Sequence, residues 1–281
     1  MKQNFDLLIR ADELKGLLGD PDLIIVDVRH DLGDHSLGRR KYDEGHVPGA
    51  HFLSVETDLS APHTGRNGRH PLPTVDAFVA TLSALGVDES KQLVAYDGGT
   101  STYSARLWWM LRWLGHRNAA VLDGGFRAWE AAGHPVTTDV PERRPATFVP
   151  KVSETPVTVE SLVAHRDEPD YTLVDARGAD RFHGQNETID PVAGHIPGSR
   201  SRPFTTNLNK DQTFKDVAVL RAEFEALLGK RAPHQIVHSC GSGVTACNNL
   251  LAMELVGLNG SRLYPGSWSE WSSDPARPIA V

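Results

Sequence analysis

Ile24-Ile25-Val26-Asp27-Val28-Arg29 returns 148 residues later as Thr172-Leu173-Val174-Asp175-Ala176-Arg177. Each copy is an apolar, β-branched run that stops at an acid and then a base, the pattern of a buried strand ending at a polar turn. Working outward, Gly45-His46-Val47-Pro48-Gly49-Ala50 returns as Gly194-His195-Ile196-Pro197-Gly198-Ser199. Gln92-Leu93-Val94-Ala95-Tyr96-Asp97-Gly98 returns as Gln235-Ile236-Val237-His238-Ser239-Cys240-Gly241. Gly124-Gly125-Phe126-Arg127-Ala128-Trp129 returns as Gly266-Ser267-Trp268-Ser269-Glu270-Trp271. The offsets, 148, 149, 143 and 142 residues, hold four landmarks in register, so the chain is an internal duplication.

Each copy alternates short β-branched runs with helix-length segments. Strands are expected near 23–28, 92–96 and 119–122, with helices over Val75 to Leu85, Tyr103 to Leu114 and Phe126 to Ala132. The second copy gives strands near 171–175 and 235–239 and helices near 219–229 and 245–256. Strands separated by helices pair in parallel through right-handed crossovers, so the expected fold class is α/β: two tandem domains, each a parallel sheet with helices on both faces. The expected boundaries are 1–138 and 157–281, joined by a proline-broken linker over 139–156.

The composition, 281 residues with 23% charged and 40% hydrophobic residues, is that of a globular protein. A formal charge of −7 argues against nucleic acid or an anionic membrane as partner. No run approaches a membrane span, and Met1 to Arg10 lacks a secretion signal, so the expected compartment is the cytoplasm. Two cysteines make neither a disulfide framework nor a zinc site, and no metal or cofactor is expected.

Cys240 is the residue that demands a function. It stands at a strand-to-helix turn, and in a parallel sheet ligands gather beyond the carboxyl ends of the strands. Gly241 and Gly243 allow a tight turn that points successive amides inward, and the helix beginning near Val244 adds its positive end. Such a nest, built from residues 241 to 245 with Val244 and Thr245 at its close, favours the thiolate of a cysteine set inside it. Cys240 is therefore the expected nucleophile. Cys247, two helical turns on, reads as a core residue. Asp27, Asp175, His46 and His195 occur in both copies and read as structural, fixing strand ends and turns.

These motifs together resemble the tandem-domain rhodanese sulfurtransferases over nearly the whole chain. Within that family, Cys240-Gly241-Ser242-Gly243-Val244-Thr245 resembles the loop of the 3-mercaptopyruvate sulfurtransferases, whereas thiosulfate-preferring members carry Arg and Lys after the cysteine. The resemblance implies a catalytically silent first domain, and here Asp97 stands at the position of Cys240. It implies a proton relay from the serine two residues after the cysteine to a histidine and an acid of the N-terminal half, by position Ser242, His70 and Glu56. It implies two arginines for the donor carboxylate. Arg181 matches the first; the second has no counterpart in Glu187 to Ala193, and Arg202 is the available substitute. The implied partners are a small-molecule sulfur donor and, as acceptor, cyanide, a small thiol or thioredoxin.

Chemistry supports the donor choice. Attack of a thiolate on the sulfur of 3-mercaptopyruvate expels an enolate that needs a proton, while thiosulfate expels sulfite, which needs cations and no proton. A loop with Ser242 and no cation suits the first. The alternatives are thiosulfate transfer by the same cysteine, a non-enzymatic scaffold, and a cysteine phosphatase, which requires an arginine six residues after the cysteine where this chain has Ala246.

Overall fold

A computed structural model of the chain describes residues 4–153, 155–168 and 171–281. The chain divides into two compact units: Met1–Ala61 with Leu72–Glu154 and Lys210–Thr213, and Thr155–Asn209 with Phe214–Val281 and the short segment Pro62–Pro71. The first half of the sequence thus lends ten residues to the second unit, an exchange that no periodicity reveals.

In the first unit, β1 (Leu8–Ile9), β2 (Leu23–Asp27), β3 (Ala50–Phe52), β4 (Gln92–Tyr96) and β5 (Ala119–Leu122) form one parallel sheet in the order β1-β5-β4-β2-β3. The connecting helices are α1 (Ala11–Leu17), α2 (Leu37–Glu44), α3 (Val75–Leu85), α4 (Tyr103–Trp113) and α5 (Gly125–Ala131). β4 and β5 are buried along their full length, as strands covered on both faces must be, which is why they read as unbroken apolar runs. Thr74 caps α3 by accepting the Ala77 N–H, and Gly86 ends it in the left-handed conformation that glycine adopts without strain.

In the second unit, β6 (Thr172–Asp175), β7 (Arg200–Ser201), β8 (Ile236–Ser239) and β9 (Arg262–Leu263) form a parallel sheet in the order β7-β6-β8-β9. Its helices are α6 (Val159–His165), α7 (Ala179–Phe182), α8 (Val217–Leu228), α9 (Ala246–Leu255) and α10 (Ser267–Trp271). Its core gathers Leu162, Leu173, Ile196, Val237, Tyr264, Trp268 and Trp271. Among the described residues β7, β6, β8 and β9 take the places of β3, β2, β4 and β5, each as a shorter strand, so the duplication preserves the order of the sheet and trims the strand lengths.

The expected α/β class and the expected central strands and helices are present. The short edge elements β1, β7 and β9 were not anticipated, because two-residue strands carry no alternation to read. The stretch over 139–153 is extended but is no free tether. Ala146 N–H donates to Ser83 O, Lys151 N–H to Leu114 O and Ser153 N–H to Trp113 O, and the Phe148 side chain is buried. Glu154 lies outside the described residues. Among the described residues no helix is long and apolar enough to cross a membrane.

The repeated Asp-x-Arg has the same structural work in both units. Asp175 and Arg177 form a buried pair at 2.8 Å, and Arg177 Nη2 also donates to the carbonyl of Gly194 at 2.9 Å. Asp27 and Arg29 pair at 2.6 Å, and Arg29 Nη2 donates to Gly45 O at 2.7 Å. Each arginine ties a strand end to the Gly-His turn. His46 stacks on Tyr42 at 3.8 Å and His195 on Phe182 at 3.9 Å, each bonding a backbone carbonyl through Nδ1. Removing one partner strands a buried charge, so Asp175→Ala should lower the stability of the second unit by about 3–5 kcal/mol. Chemical denaturation reads that loss directly.

Candidate active site

Cys240 sits at the carboxyl end of β8, where the chain turns into α9, and its side chain is almost wholly buried. Gly243 takes φ +72°, and a Cβ there would run into the backbone of Pro265, so only glycine fits the turn. The loop is held from its far side: Cys240 N–H donates to Ser267 Oγ at 3.0 Å, Trp268 N–H to Cys240 O at 2.9 Å and Ser269 N–H to Gly241 O at 2.9 Å. Among the described residues the N–H groups of Gly241, Ser242, Val244 and Thr245 donate to no protein acceptor.

The first unit shows what this loop does with an anion. Asp97, the counterpart of Cys240, folds its carboxylate into its own turn. Oδ1 accepts from Gly99 N–H at 2.9 Å and Ser101 N–H at 3.1 Å; Oδ2 accepts from Tyr103 N–H at 2.9 Å and Ser104 N–H at 3.3 Å. Phe126 N–H donates to Asp97 O at 2.8 Å, as Trp268 N–H does to Cys240 O. At the 143-residue offset of Asp97 from Cys240, the donors at 99 and 101 correspond to Ser242 and Val244. One copy of the turn is filled by a resident carboxylate; the other surrounds a thiol.

Ser242 and His70 meet. His70 Nδ1 lies 2.8 Å from Ser242 Oγ, with both side chains buried. The segment Pro62–Pro71 delivers the histidine to the second unit, which distinguishes it from His51, in β3 of the first unit; His63 travels on the same segment but lines a cavity with Arg69 and Asp190, and it is His70 that meets Ser242. Glu56 belongs to the first unit, with its carboxylate 3.3 Å from His30 Nε2 and 3.8 Å from His35 Nε2. Those three groups offer ligand atoms within 4.8 Å of one another, the donor set a divalent metal accepts.

The two arginines expected at the donor carboxylate fare differently. Arg181, on α7, donates to both oxygens of Glu187 at 3.0–3.1 Å and to Asp190 Oδ2 at 3.0 Å. Glu187 and Asp190 are the acids of the very stretch that lacks the second arginine. Arg202 is committed elsewhere: its guanidinium donates to Asn207 Oδ1 at 2.8 Å and Glu223 Oε2 at 3.0 Å and lies 4.0 Å over the Phe224 ring. That network serves the packing of α8, and the substitute role read for Arg202 is given up. The cation at the loop is Arg69, which sequence reasoning missed. A Cβ placed on Gly241 would lie 2.8 Å from Arg69 Nη2 and 3.7 Å from both Arg181 Nη2 and Asp190 Oδ2. Arg69 also pairs with Asp190 and donates its N–H to Ser269 Oγ at 3.0 Å. Its signal was adjacency to His70: a segment that carries the histidine into the site carries its neighbour too.

Cys247 is buried on α9 with Sγ 3.4 Å from Gly243 O, as the core reading expects. His238, in β8, is fully buried with Nε2 3.1 Å from Met253 Sδ. Burial, helped by the nearby Arg202 charge, pushes it down to about 3 from 6.5. A histidine that is neutral when folded but titrates normally when unfolded leaves the unfolded chain binding more protons between those values. Its penalty is absent above pH 6.5 and grows as the pH falls toward 3. The expected contribution to acid destabilisation is about 3 kcal/mol by pH 4 and about 5 kcal/mol in full. Denaturant titrations from pH 7 to 4 should show a shallower loss in His238→Leu than in wild type.

Comparison with known proteins identifies the family. The rhodanese-like domain family matches twice, over residues 10–132 and 158–274. The chain is 46% identical over 278 residues to a protein of Pseudomonas aeruginosa named probable 3-mercaptopyruvate sulfurtransferase, covering 98% of each. It is 37% identical over 261 residues to the thiosulfate sulfurtransferase of Bos taurus, covering 89% of this chain and 85% of that one. The solved 3-mercaptopyruvate sulfurtransferase of Leishmania major superposes with a TM-score of 0.86 at 32% identity, covering 98% of this chain and 76% of that one. With two matched domains, a cysteine-bearing turn in one and a carboxylate-filled turn in the other, the chain belongs to the rhodanese family and is a sulfurtransferase.

Proposed function

We propose that the enzyme takes sulfur from 3-mercaptopyruvate onto Cys240 and passes it to a thiol or cyanide. The observation that carries the donor assignment is the Ser242–His70 contact of 2.8 Å beside the cysteine loop. The Cys240 thiolate attacks the donor sulfur, forming an S–S bond. The C–S bond breaks and its electron pair stays on carbon as the enolate of pyruvate. The proton of the donor thiol reaches that carbon through Ser242 and His70, which yields pyruvate and the Cys240 persulfide. In the second half-reaction the acceptor attacks the outer sulfur and Cys240 leaves as thiolate, so kinetics are ping-pong. The amides of Gly241, Ser242, Val244 and Thr245 hold the charge in both halves, as those after Asp97 hold a carboxylate. Arg181 binds the donor carboxylate, and Glu56 is assigned as the acid behind His70 by family resemblance. The first domain is catalytically silent, because Asp97 carries no sulfur.

Thiosulfate is the second reading, favoured by Arg69 and Arg181 near Gly241, since sulfite leaves with charge and without a proton. The acceptor is a small thiol, thioredoxin or cyanide, and two free cysteines suit a reducing compartment such as the cytoplasm. Intact mass of the reduced protein after brief exposure to each donor separates the readings. A one-sulfur gain with 3-mercaptopyruvate and little with thiosulfate is expected; the reverse would transfer the assignment to thiosulfate.

A further inference from the structure

Three side chains of the first unit converge at the carboxyl edge of its sheet. His30 and His35 lie in the loop that follows β2, and Glu56 lies in the loop that follows β3. β2 and β3 are neighbouring parallel strands with Asp27 opposite Phe52, so both loops leave the edge where ligands collect in an α/β sheet. Glu56 Oε1 is 3.3 Å from His30 Nε2 and 3.8 Å from His35 Nε2, and the three ligand atoms lie within 4.8 Å of one another. Neither separation is that of a good hydrogen bond, and a second imidazole on one carboxylate oxygen is more than an ion pair needs. Donors held about 2.0–2.2 Å from a tetrahedral zinc-sized ion stand about 3.3–3.6 Å apart, which these separations approach.

The cluster is fixed on one side and open on the other. His30 has 2% of its side chain exposed and meets the Tyr103 ring edge-on at 5.0 Å, while His35 has 60% exposed. Between the histidines, Asp31 Oδ1 accepts the N–H groups of Gly33 and Asp34, and Asp34 accepts from Ser36 N–H and pairs with Arg40. These turns shape the loop and occupy its own acids, which leaves Glu56 as the carboxylate that meets both rings. The surroundings are negative: burial first, then the charges of Asp97, Asp31 and Glu56, push the Tyr103 phenol upward.

We propose that His30, His35 and Glu56 bind one divalent transition-metal ion of the zinc class, with the remaining coordination position left to water. Two imidazole nitrogens and a carboxylate oxygen suit zinc, cobalt or nickel, whereas magnesium and calcium take oxygen donors. Counting cysteines argues against a zinc site in this sequence, but a set of nitrogen and oxygen donors needs no thiol. With His30 held by packing, the adjustment that closes the shell falls to the exposed His35 ring. The ion clips the loop after β2 to the loop after β3 and gives the silent domain a ligand of its own. Glu56 is also the acid that family resemblance assigns behind His70, so the test reads binding and melting and not turnover.

The test titrates cobalt(II) into untagged, full-length protein carrying Cys240→Ser, which removes the reactive thiol as a competing ligand. One equivalent should develop the visible absorption of a low-coordinate cobalt centre, and zinc should displace it. His35→Ala, a change at an exposed side chain that leaves the metal-free melting temperature near the parent's, should weaken cobalt by more than about a hundredfold, beyond what loss of an outer partner costs. His30→Gln and Glu56→Gln should do the same. Zinc should raise the melting temperature of the parent and not that of His35→Ala, and magnesium should raise neither. No cobalt spectrum and no zinc-dependent melting shift in the parent would overturn the proposal and reduce the cluster to a shared ion pair. So would a spectrum that persists in both His35→Ala and His30→Gln, since the ion would then sit elsewhere. Neither result touches the donor reading, which the mass gain with 3-mercaptopyruvate decides separately.

Discussion

Cys240→Ser should remove all sulfur uptake while leaving the fold intact. The change replaces one buried atom by a smaller one at a turn whose backbone is held by Ser267, Trp268 and Ser269, none of which bonds the side chain. What it removes is the only sulfur in the cysteine loop. The hydroxyl stays protonated at neutral pH and cannot carry a persulfide, so the first half-reaction has no nucleophile. The expected result is no mass gain with either donor and a fall in turnover of at least about a thousandfold, with melting within a few degrees of wild type. Cys247→Ser serves as the counterpart. It lies on the buried face of α9, and its substitution should affect stability and leave most transfer in place. Sulfur on Cys240→Ser at one equivalent would move the nucleophile elsewhere and end the mechanism derived above.

The second large effect is donor-selective. Ser242→Ala and His70→Gln both break the 2.8 Å contact beside the nucleophile. If this pair moves the proton that the enolate needs, either change should lower kcat with 3-mercaptopyruvate by about 10²–10⁴. Thiosulfate turnover, whose leaving group takes no proton, should fall far less. The double variant should be no worse than the poorer single one, since two members of one relay fail together. Equal losses with both donors would mean that the pair shapes the loop and carries no proton.

Much of this fold is legible in the sequence. The duplication placed both sheets, because a strand buried on two faces must be written as an apolar run and both copies keep it. The cysteine loop was legible for a local reason: two glycines and a helix start sit within five residues of Cys240, and the geometry of so short a turn has few solutions. Asp97 could be read as a silent counterpart, although the four amide bonds that its carboxylate makes could not.

The sequence by itself determined the fold class, the duplicated plan and the place of the cysteine turn, since each rests on contacts among residues near in the chain or on a repeated pattern. Tertiary structure alone decided the partners. Ser242 and His70 are 172 residues apart, and Arg69 and Asp190 are 121 apart. No periodicity encodes such pairs, because a loop's path is set by what it packs against and not by its own propensity. The segment Pro62–Pro71 reads as an unremarkable polar loop, yet it brings both a histidine and an arginine to the cysteine turn. Arg202 is the converse: an arginine in a promising place by sequence, drawn aside by Asn207, Glu223 and Phe224 because burying its charge required partners that only the folded chain supplies.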